Sequence, residues 1–329
     1  MAENSLALPS TVAMRLEPHL PHLPPSSSAS TSSDKDTSSS SKPPFVTLTF
    51  ATSLDSALSL GPGMRTTLSG LKSKAMTHYL RSRHDAICVG VGTAIADDPG
   101  LNCRLAADTL PLETSPTGDT AGVGALLGLA SVSTKQSVID ETNAAITARQ
   151  PRPIVIDPKL RWDFTSESKV MKLARSGKGL APYIITAVPN PPGEKKKLLQ
   201  DHGGKFIVLS QPQNSVLGVD STNRRFDWRT ILAAVRNEGL QSIMIEGGGE
   251  VINSLLSQEN SHLIDSVIIT IAPTWLGQGS VFVSPPRSVD ANGNPSAVAR
   301  LTNITYMPLG EDIVLCGNMA SQDRRLWLY

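Results

Sequence analysis

The stretch Ser242 to Leu256, SIMIEGGGEVINSLL, limits the fold more than any other in the chain. Ile243, Met244 and Ile245 make a short apolar run of β type, and Glu246 follows. Gly247, Gly248 and Gly249 then lead through Glu250 into Val251, Ile252, Leu255 and Leu256 at helical spacing. The order is strand, glycine turn, helix. Residues without a Cβ let a ligand approach the backbone, and the helix that follows offers free N–H groups and the positive end of its dipole. A phosphate is the natural guest. The spacing is not G-x-G-x-x-G, so the dinucleotide fingerprint is absent, and on these residues alone a plain tight turn stays open. Glu246, an acid at the C-terminal end of a strand, stands where open α/β sheets place ligands.

A chain of 329 residues, 40% hydrophobic, can bury a substantial core. Its net charge of +1 gives no basic surface for nucleic acid or membrane, and neither partner is expected. Cys88, Cys103 and Cys316 include no C-x-x-C pair, which predicts neither disulfides nor a zinc site, and the cytoplasm is the expected compartment. No apolar run approaches the roughly 20 residues that span a bilayer. Residues 1–44 are expected to form a disordered Ser/Pro-rich extension, because 24–44 are almost all Ser, Thr, Pro and charge. Residues 45–329 are expected to form a single domain.

Along that domain strands alternate with helices. FVTLTFAT, from Phe45, alternates apolar residues with threonine as a pleated strand does. Leu71, Ala75, Met76, Tyr79 and Leu80 predict a helix over 71–83 that carries Arg81 and His78, the latter read first as structural. AICVGVG is a short strand running into Thr93, Asp97, Asp98 and Pro99-Gly100, read as a polar loop. If this strand is parallel to the Ile243 strand, both loops open on one sheet edge, and Thr93, Asp97 and Arg104 become candidates for hydroxyl and phosphate contacts. Residues 106–150 show no period and are expected to be an insertion or mobile loop. Strands follow at Ile154, Tyr183 and Lys205, and a helix capped by Asp227 and stopped by Gly239 feeds into Ser242. ARLTNITYMPLG and DIVLCGNM read as an antiparallel hairpin.

Five segments together resemble one family: PFVTLTFATSLDSALS, MTHYLRSRHDAICVGVGTAIADDPGLNCRL, PRPIVIDPKLRW, IMIEGGGEVINSLL and IITIAPTWLGQG. In order and spacing they are similar to the riboflavin-biosynthesis reductases, meaning the fungal and archaeal 2,5-diamino-6-(5-phosphoribosylamino)pyrimidin-4(3H)-one 5′-phosphate reductases and the reductase half of bacterial bifunctional deaminase-reductases. The resemblance implies an α/β, dihydrofolate-reductase-like fold: a mixed, mostly parallel sheet with helices on both faces. It also implies NADPH as hydride donor with NADH as the alternative, a phosphorylated pyrimidine substrate, and a homodimer. Cofactor contacts are implied at Thr93 and Asp97, at Glu246, Gly247, Gly248, Gly249, Glu250, Val251 and Ile252, and at Thr52, Thr67 and Thr186. Substrate contacts are implied at Arg81, Leu101, Arg104 and Glu246. Two departures stand out: Leu54-Asp55-Ser56 where many relatives have Leu-Asp-Gly, and the long 106–150 segment.

The chemistry so implied is hydride transfer to C1′ of an imine opened from the ribosylamine. Asp97 and Glu246 are the expected catalytic carboxylates, and the sequence does not separate proton donor from electrostatic partner. A dihydrofolate-type pteridine reductase and a non-catalytic nucleotide-binding module are the competing readings. No metal is expected, and deaminase activity is disfavoured because the chain has no H-x-E followed by P-C-x-x-C.

Overall fold

The computed structural model describes residues 6–22, 42–105, 150–210, 226–290 and 292–320. The apolar runs become strands β1 (Phe45–Thr52), β3 (Ala86–Gly90), β4 (Arg152–Ile156), β5 (Tyr183–Thr186), β6 (Lys205–Val208), β7 (Ser242–Gly247), β8 (Ser266–Ile271), β12 (Leu301–Leu309) and β13 (Asp312–Met319). They form one nine-stranded sheet in the order β12-β13-β8-β1-β7-β3-β4-β5-β6. From β8 to β6 all neighbours are parallel, while β12 and β13 are antiparallel. Two small antiparallel ribbons stand apart, β2 (Ala57–Ser59) with β9 (Val281–Phe282) and β10 (Ser288–Val289) with β11 (Pro295–Ser296).

Alternation along each strand assigns the helices to faces. Ile243, Ile245, Ala86, Cys88, Val46 and Leu48 pack with Trp228, Ile231, Leu232 and Val235 of a helix at Trp228–Asn237, and with Ile252 and Leu255 of a helix at Gly249–Leu255. Numbered along the chain these are α6 and α7. The opposite face carries α1 (Ser10–Leu16), α2 (Leu71–Ser82), α3 (Val91–Asp97), α4 (Lys169–Arg175) and α5 (Gly193–Gln200), set against Met244, Ile87, Val89, Val155 and Ile184. The mixed, mostly parallel sheet with helices on both faces is thus observed. Among the described residues no helix is long and apolar enough to cross a membrane.

Two expectations need correction. Residues 6–22 are not a disordered extension: Leu8, Leu16 and Leu20 are buried against Met76, Tyr79 and Leu80 of α2. Their composition concealed this because the apolar residues serve a partner about sixty positions away in sequence, not a local core. The remainder of the proposed extension, apart from 42–44, lies outside the described residues, as does the 106–149 segment. Second, Thr93 to Asp97 is not a loop but the body of α3, which ends where Asp98 takes the left-handed conformation at φ +40°. Ser56, where many relatives have glycine, adopts φ +61°, the region that glycine fills at no cost. A Cβ there costs about 1 kcal/mol, and the backbone is held in that conformation by the bonds from Ser56 N–H to Ser53 O and from Val283 N–H to Ser56 O.

Two tertiary contacts fix α2. Asp312 accepts from Gly70 N–H at 3.0 Å and from the Ser73 hydroxyl at 2.5 Å, so the helix start is capped from β13. At its other end His84 is buried, with Nδ1 donating to Leu80 O and Nε2 accepting from the Thr47 hydroxyl, both at 2.7 Å. Burial pushes the His84 pKa down from 6.5 to about 4. In that window the unfolded chain binds the extra proton, so stability falls as pH drops from about 6.5 towards 4. His78, held down to about 3 by burial and then by Arg81 and Arg104, acts in the same direction. Urea unfolding at pH 7 and pH 5 should therefore show a loss on acidification, and His84→Gln should shrink that loss by about 2 kcal/mol. An unchanged loss in the variant would locate the acid sensitivity elsewhere.

Candidate active site

The sheet's connections place a crevice over β7. β7 sends α7 to one face, while its neighbours β1 and β3 send α2 and α3 to the other. Helices leaving in opposite directions from adjacent parallel strands open a gap at their C-terminal ends, where ligands of such sheets bind. Glu246 lies at that end.

Met244 and Glu246 share the α2 face of β7, and with them on neighbouring strands lie Thr49 and Thr270. A cavity of about 160 Å³ opens there, lined by Thr49, Phe50, Ala51, Ser69, Thr77, Glu246 and Thr270. Arg81, one turn beyond Thr77, closes one side. Its Nε donates to Glu246 Oε1 at 2.9 Å, its Nη2 to Oε2 at 2.8 Å, and its Nη1 to Asn102 O at 3.0 Å. The fork is bidentate, the geometry in which a guanidinium holds a carboxylate most firmly. A larger cavity of about 430 Å³ against Leu256, Val267, Val283, Leu301 and Met319 contains no carboxylate and is not this crevice.

The glycine turn and α3 meet beside Glu246. Gly248 N–H donates to Thr93 Oγ1 at 3.1 Å, which joins the glycine turn to α3 on one sheet edge. The Thr93 hydroxyl, used there as acceptor, keeps its own proton to donate. Gly247 sits at φ +120°, open to glycine alone, and a Cβ on Gly249 would lie 2.6 Å from the Val281 side chain. The glycines therefore serve packing as well as exposure of the backbone. α7 begins at Gly249, and its first N–H groups have no partner within the helix. Glu250 and Val251 belong to that first turn, Val251 presses on Gly90, and the Ile252 side chain is buried.

Asp97, at the end of α3, has a buried Oδ1 with no hydrogen-bond partner among the described residues. Burial raises its pKa above the usual carboxylate value, opposed by the charge of Arg65. Asp97 and Glu246 thus differ in setting: one carboxyl is half-buried and lacks a donor on one oxygen, the other is clasped by a guanidinium. That distinction is the one the sequence left open.

Other expected residues are placed less directly. Thr186 ends β5 on the same edge, three strands from β7, with its hydroxyl bonded to Pro158 O and accepting from Val188 N–H. Thr52 ends β1 with its hydroxyl directed to Ser53 O and Ala57 O, and Thr67 is exposed. Leu101 is 1% exposed, backbone and side chain together, and packs in the core at φ +49°, so its expected substrate contact is not on the surface of the crevice. Arg104 is exposed, and its N–H is held by Nδ1 of the buried His78 at 3.1 Å, which makes His78 a support of the loop. Arg81 was expected to meet substrate, yet three of its donors are used within the protein. Thr49, Thr77 and Thr270 were not anticipated as site residues, whereas Ser69 falls in the polar stretch from Arg65 that could border a ligand. The available signal was the apolar-threonine alternation of β1, which marks one sheet face as polar.

The RibD C-terminal domain family matches residues 44–315. The chain belongs to that family. It is 36% identical over 277 residues to the 2,5-diamino-6-ribosylamino-4(3H)-pyrimidinone 5′-phosphate reductase of Debaryomyces hansenii, covering 84% of this chain and 90% of that one. The reductase of the same name from Eremothecium gossypii is 34% identical over 316 residues, covering 96% and 99%. Among solved structures, the Saccharomyces cerevisiae riboflavin biosynthesis reductase Rib7 matches with a TM-score of 0.59 at 28% identity, covering 94% of this chain and 99% of that one. Acinetobacter baumannii RibD shares the fold, with a TM-score of 0.55 at 18% identity over 85% of this chain and 59% of that one.

Breaking the Arg81–Glu246 pair strands a charge whose side chain is 18% exposed. Arg81→Met should lower unfolding stability by roughly 3 kcal/mol, and adding Glu246→Gln should recover most of it. Equal losses from single and double variants in urea unfolding would mean that the two side chains are not energetically coupled.

Proposed function

We propose that this chain reduces 2,5-diamino-6-ribosylamino-4(3H)-pyrimidinone 5′-phosphate to its ribitylamino product, with NADPH as donor and NADH as the alternative. Membership of a reductase family supports the reaction class. The observation that carries the reading is the contact of Thr93 on α3 with the glycine turn that follows Glu246, at the switch point of the sheet.

The residues present fit a nicotinamide dinucleotide. The pyrophosphate belongs against Gly248 and the first N–H groups of α7 (Gly249, Glu250, Val251), with Ile252, whose N–H bonds Gly248 O, anchoring that turn and the Thr93 hydroxyl as a further donor. Thr52, Thr67 and Thr186 are proposed as outer lining positions on the same edge. When bound, the cofactor supplies the hydride that C1′ of the opened imine accepts. The chain's own residues do the rest. Asp97, which burial biases towards its protonated form, gives its proton to the imine nitrogen, so that nitrogen gains H⁺ while carbon gains hydride. Glu246, fixed by Arg81, stabilises the cationic imine from the crevice. Arg104 faces the phosphorylated end of the substrate, with buried Leu101 anchoring the strip that carries it and Arg81 acting through Glu246.

We further propose a homodimer in the cytoplasm. β12 is a sheet edge that exposes Ile304 and Tyr306 beside Ile313, and an edge of that kind is commonly covered. The cysteines are free, in keeping with a reducing compartment.

The test is NADPH consumption on addition of the phosphorylated ribosylaminopyrimidine. Asp97→Asn should lower kcat roughly a hundredfold with little change in the KM for NADPH. Arg104→Ala should raise the substrate KM roughly tenfold or more. Full turnover by Asp97→Asn would remove it as proton donor. Consumption of NADPH with a pteridine in place of the pyrimidine would favour the dihydrofolate-type alternative.

A further inference from the structure

Residues 6–22 precede the 44–315 region that the family covers, yet they meet α2 on the flank next to the crevice. Tyr79 and Arg83 are buried in α2 and at its end, at 0% and 6% exposure, and both are polar there. Both find the same partner. The Tyr79 hydroxyl donates to Glu17 Oε1, and Arg83 Nη1 forms an ion pair with that oxygen. Arg83 Nη2 also donates to Pro21 O at 3.2 Å. The Tyr79 phenol is pushed up to about 12, first by burial and then by the Glu17 carboxylate, so it remains a donor throughout the working pH range.

The same segment also reaches the 101–105 strip, whose Asn102 O accepts from Arg81. Leu6 forms a parallel bridge with Leu105, next to Arg104, and Leu8, Leu16 and Leu20 pack with Cys103 and Leu105. One short stretch therefore clamps both α2, which carries Arg81, and the 101–105 strip, which supplies Asn102 O to Arg81 and holds Arg104. Tyr79 and Arg83 flank Arg81 two residues on either side. A shift or rotation of α2 that relieved an unpaired Arg83 would move the Arg81 fork off Glu246.

We propose that residues 6–22 are a built-in wall of the substrate site and that Glu17 is a positioning residue, which holds α2 so that Arg81 keeps Glu246 oriented in the crevice. This rests on the substrate reading above for its effect on turnover, but the coupling itself does not. The cofactor turn at 247–252 makes no contact with the segment in any of these interactions, so the effect should be confined to substrate.

The experiment compares full-length wild type, Glu17→Ala and Glu17→Gln, the second variant keeping an acceptor for Tyr79 in case the first does not fold. With NADPH and the phosphorylated ribosylaminopyrimidine, Glu17→Ala should raise the substrate KM by about tenfold or more, with the KM for NADPH nearly unchanged and Glu17→Gln intermediate. A merely structural role would leave both KM values unchanged and reduce only the amount of folded enzyme, and that result would overturn the proposal. Amide hydrogen exchange supplies a readout independent of turnover. Selectively faster exchange in 76–83 and 101–105 supports the clamp, whereas uniform acceleration or none overturns it. An inactive wild type would count against the proposed reaction alone, because the exchange pattern would still decide the role of Glu17.

Discussion

The bidentate contact between Arg81 and Glu246 is the constraint on which the rest of the site depends. It joins a helix that begins at Leu71 to the end of a strand more than 160 residues later. Both charges are largely removed from water, at 13% and 18% side-chain exposure, so each needs the other to offset its desolvation. The contact therefore works in two directions. It fixes the acid at the end of β7, and it draws α2 over the sheet edge to make one wall of a crevice that contains polar side chains.

That crevice exists because the α2 face of the sheet changes character along the strands. Near the middle of the sheet Met244 and Ile268 meet Met76 and Leu80, and the face is apolar. Towards the C-terminal edge the same face carries Thr49, Thr270 and Glu246, and the cavity opens where the apolar packing stops. On the opposite face α6 and α7 continue the apolar layer, through Ile231, Val235, Ile252 and Leu255. One strand, β7, thus presents a core residue and a site residue two positions apart.

Much of the fold was legible in the sequence because its signals were local. The period of Leu71 to Leu80, the Asp227 cap that accepts from Thr230 N–H, and the alternation in β1 each predicted an element that is present. The turn at Gly247 to Gly249 and the segment at Thr93 also lie on one edge, as parallel strands required. What escaped was nonlocal. Thr93 to Asp97 had the short polar residues of a loop and folds as a helix because Val91 and Ala94 gain a buried face against Ile87 and Val89. The N-terminal leucines looked like part of a polar extension, since the surface they cover belongs to α2. The resemblance singled out both Arg81 and Glu246, but not their contact with each other, because no spacing rule links position 81 to position 246. The two carboxylates looked alike until burial of Asp97 and the clasp on Glu246 set them apart.

The central claim is that ligands enter the crevice over β7, with the cofactor against the glycine turn and α3 and the substrate between Glu246 and α2. Amide hydrogen exchange of the full-length protein, with and without NADPH and then with the phosphorylated ribosylaminopyrimidine, tests this most directly. NADPH should protect 91–97 and 247–252, and the substrate should add protection at 69–81 and 101–105. Protection confined to β12 and to the segment around the apolar cavity at Val283 and Leu301, with the β7 edge unaffected, would contradict it.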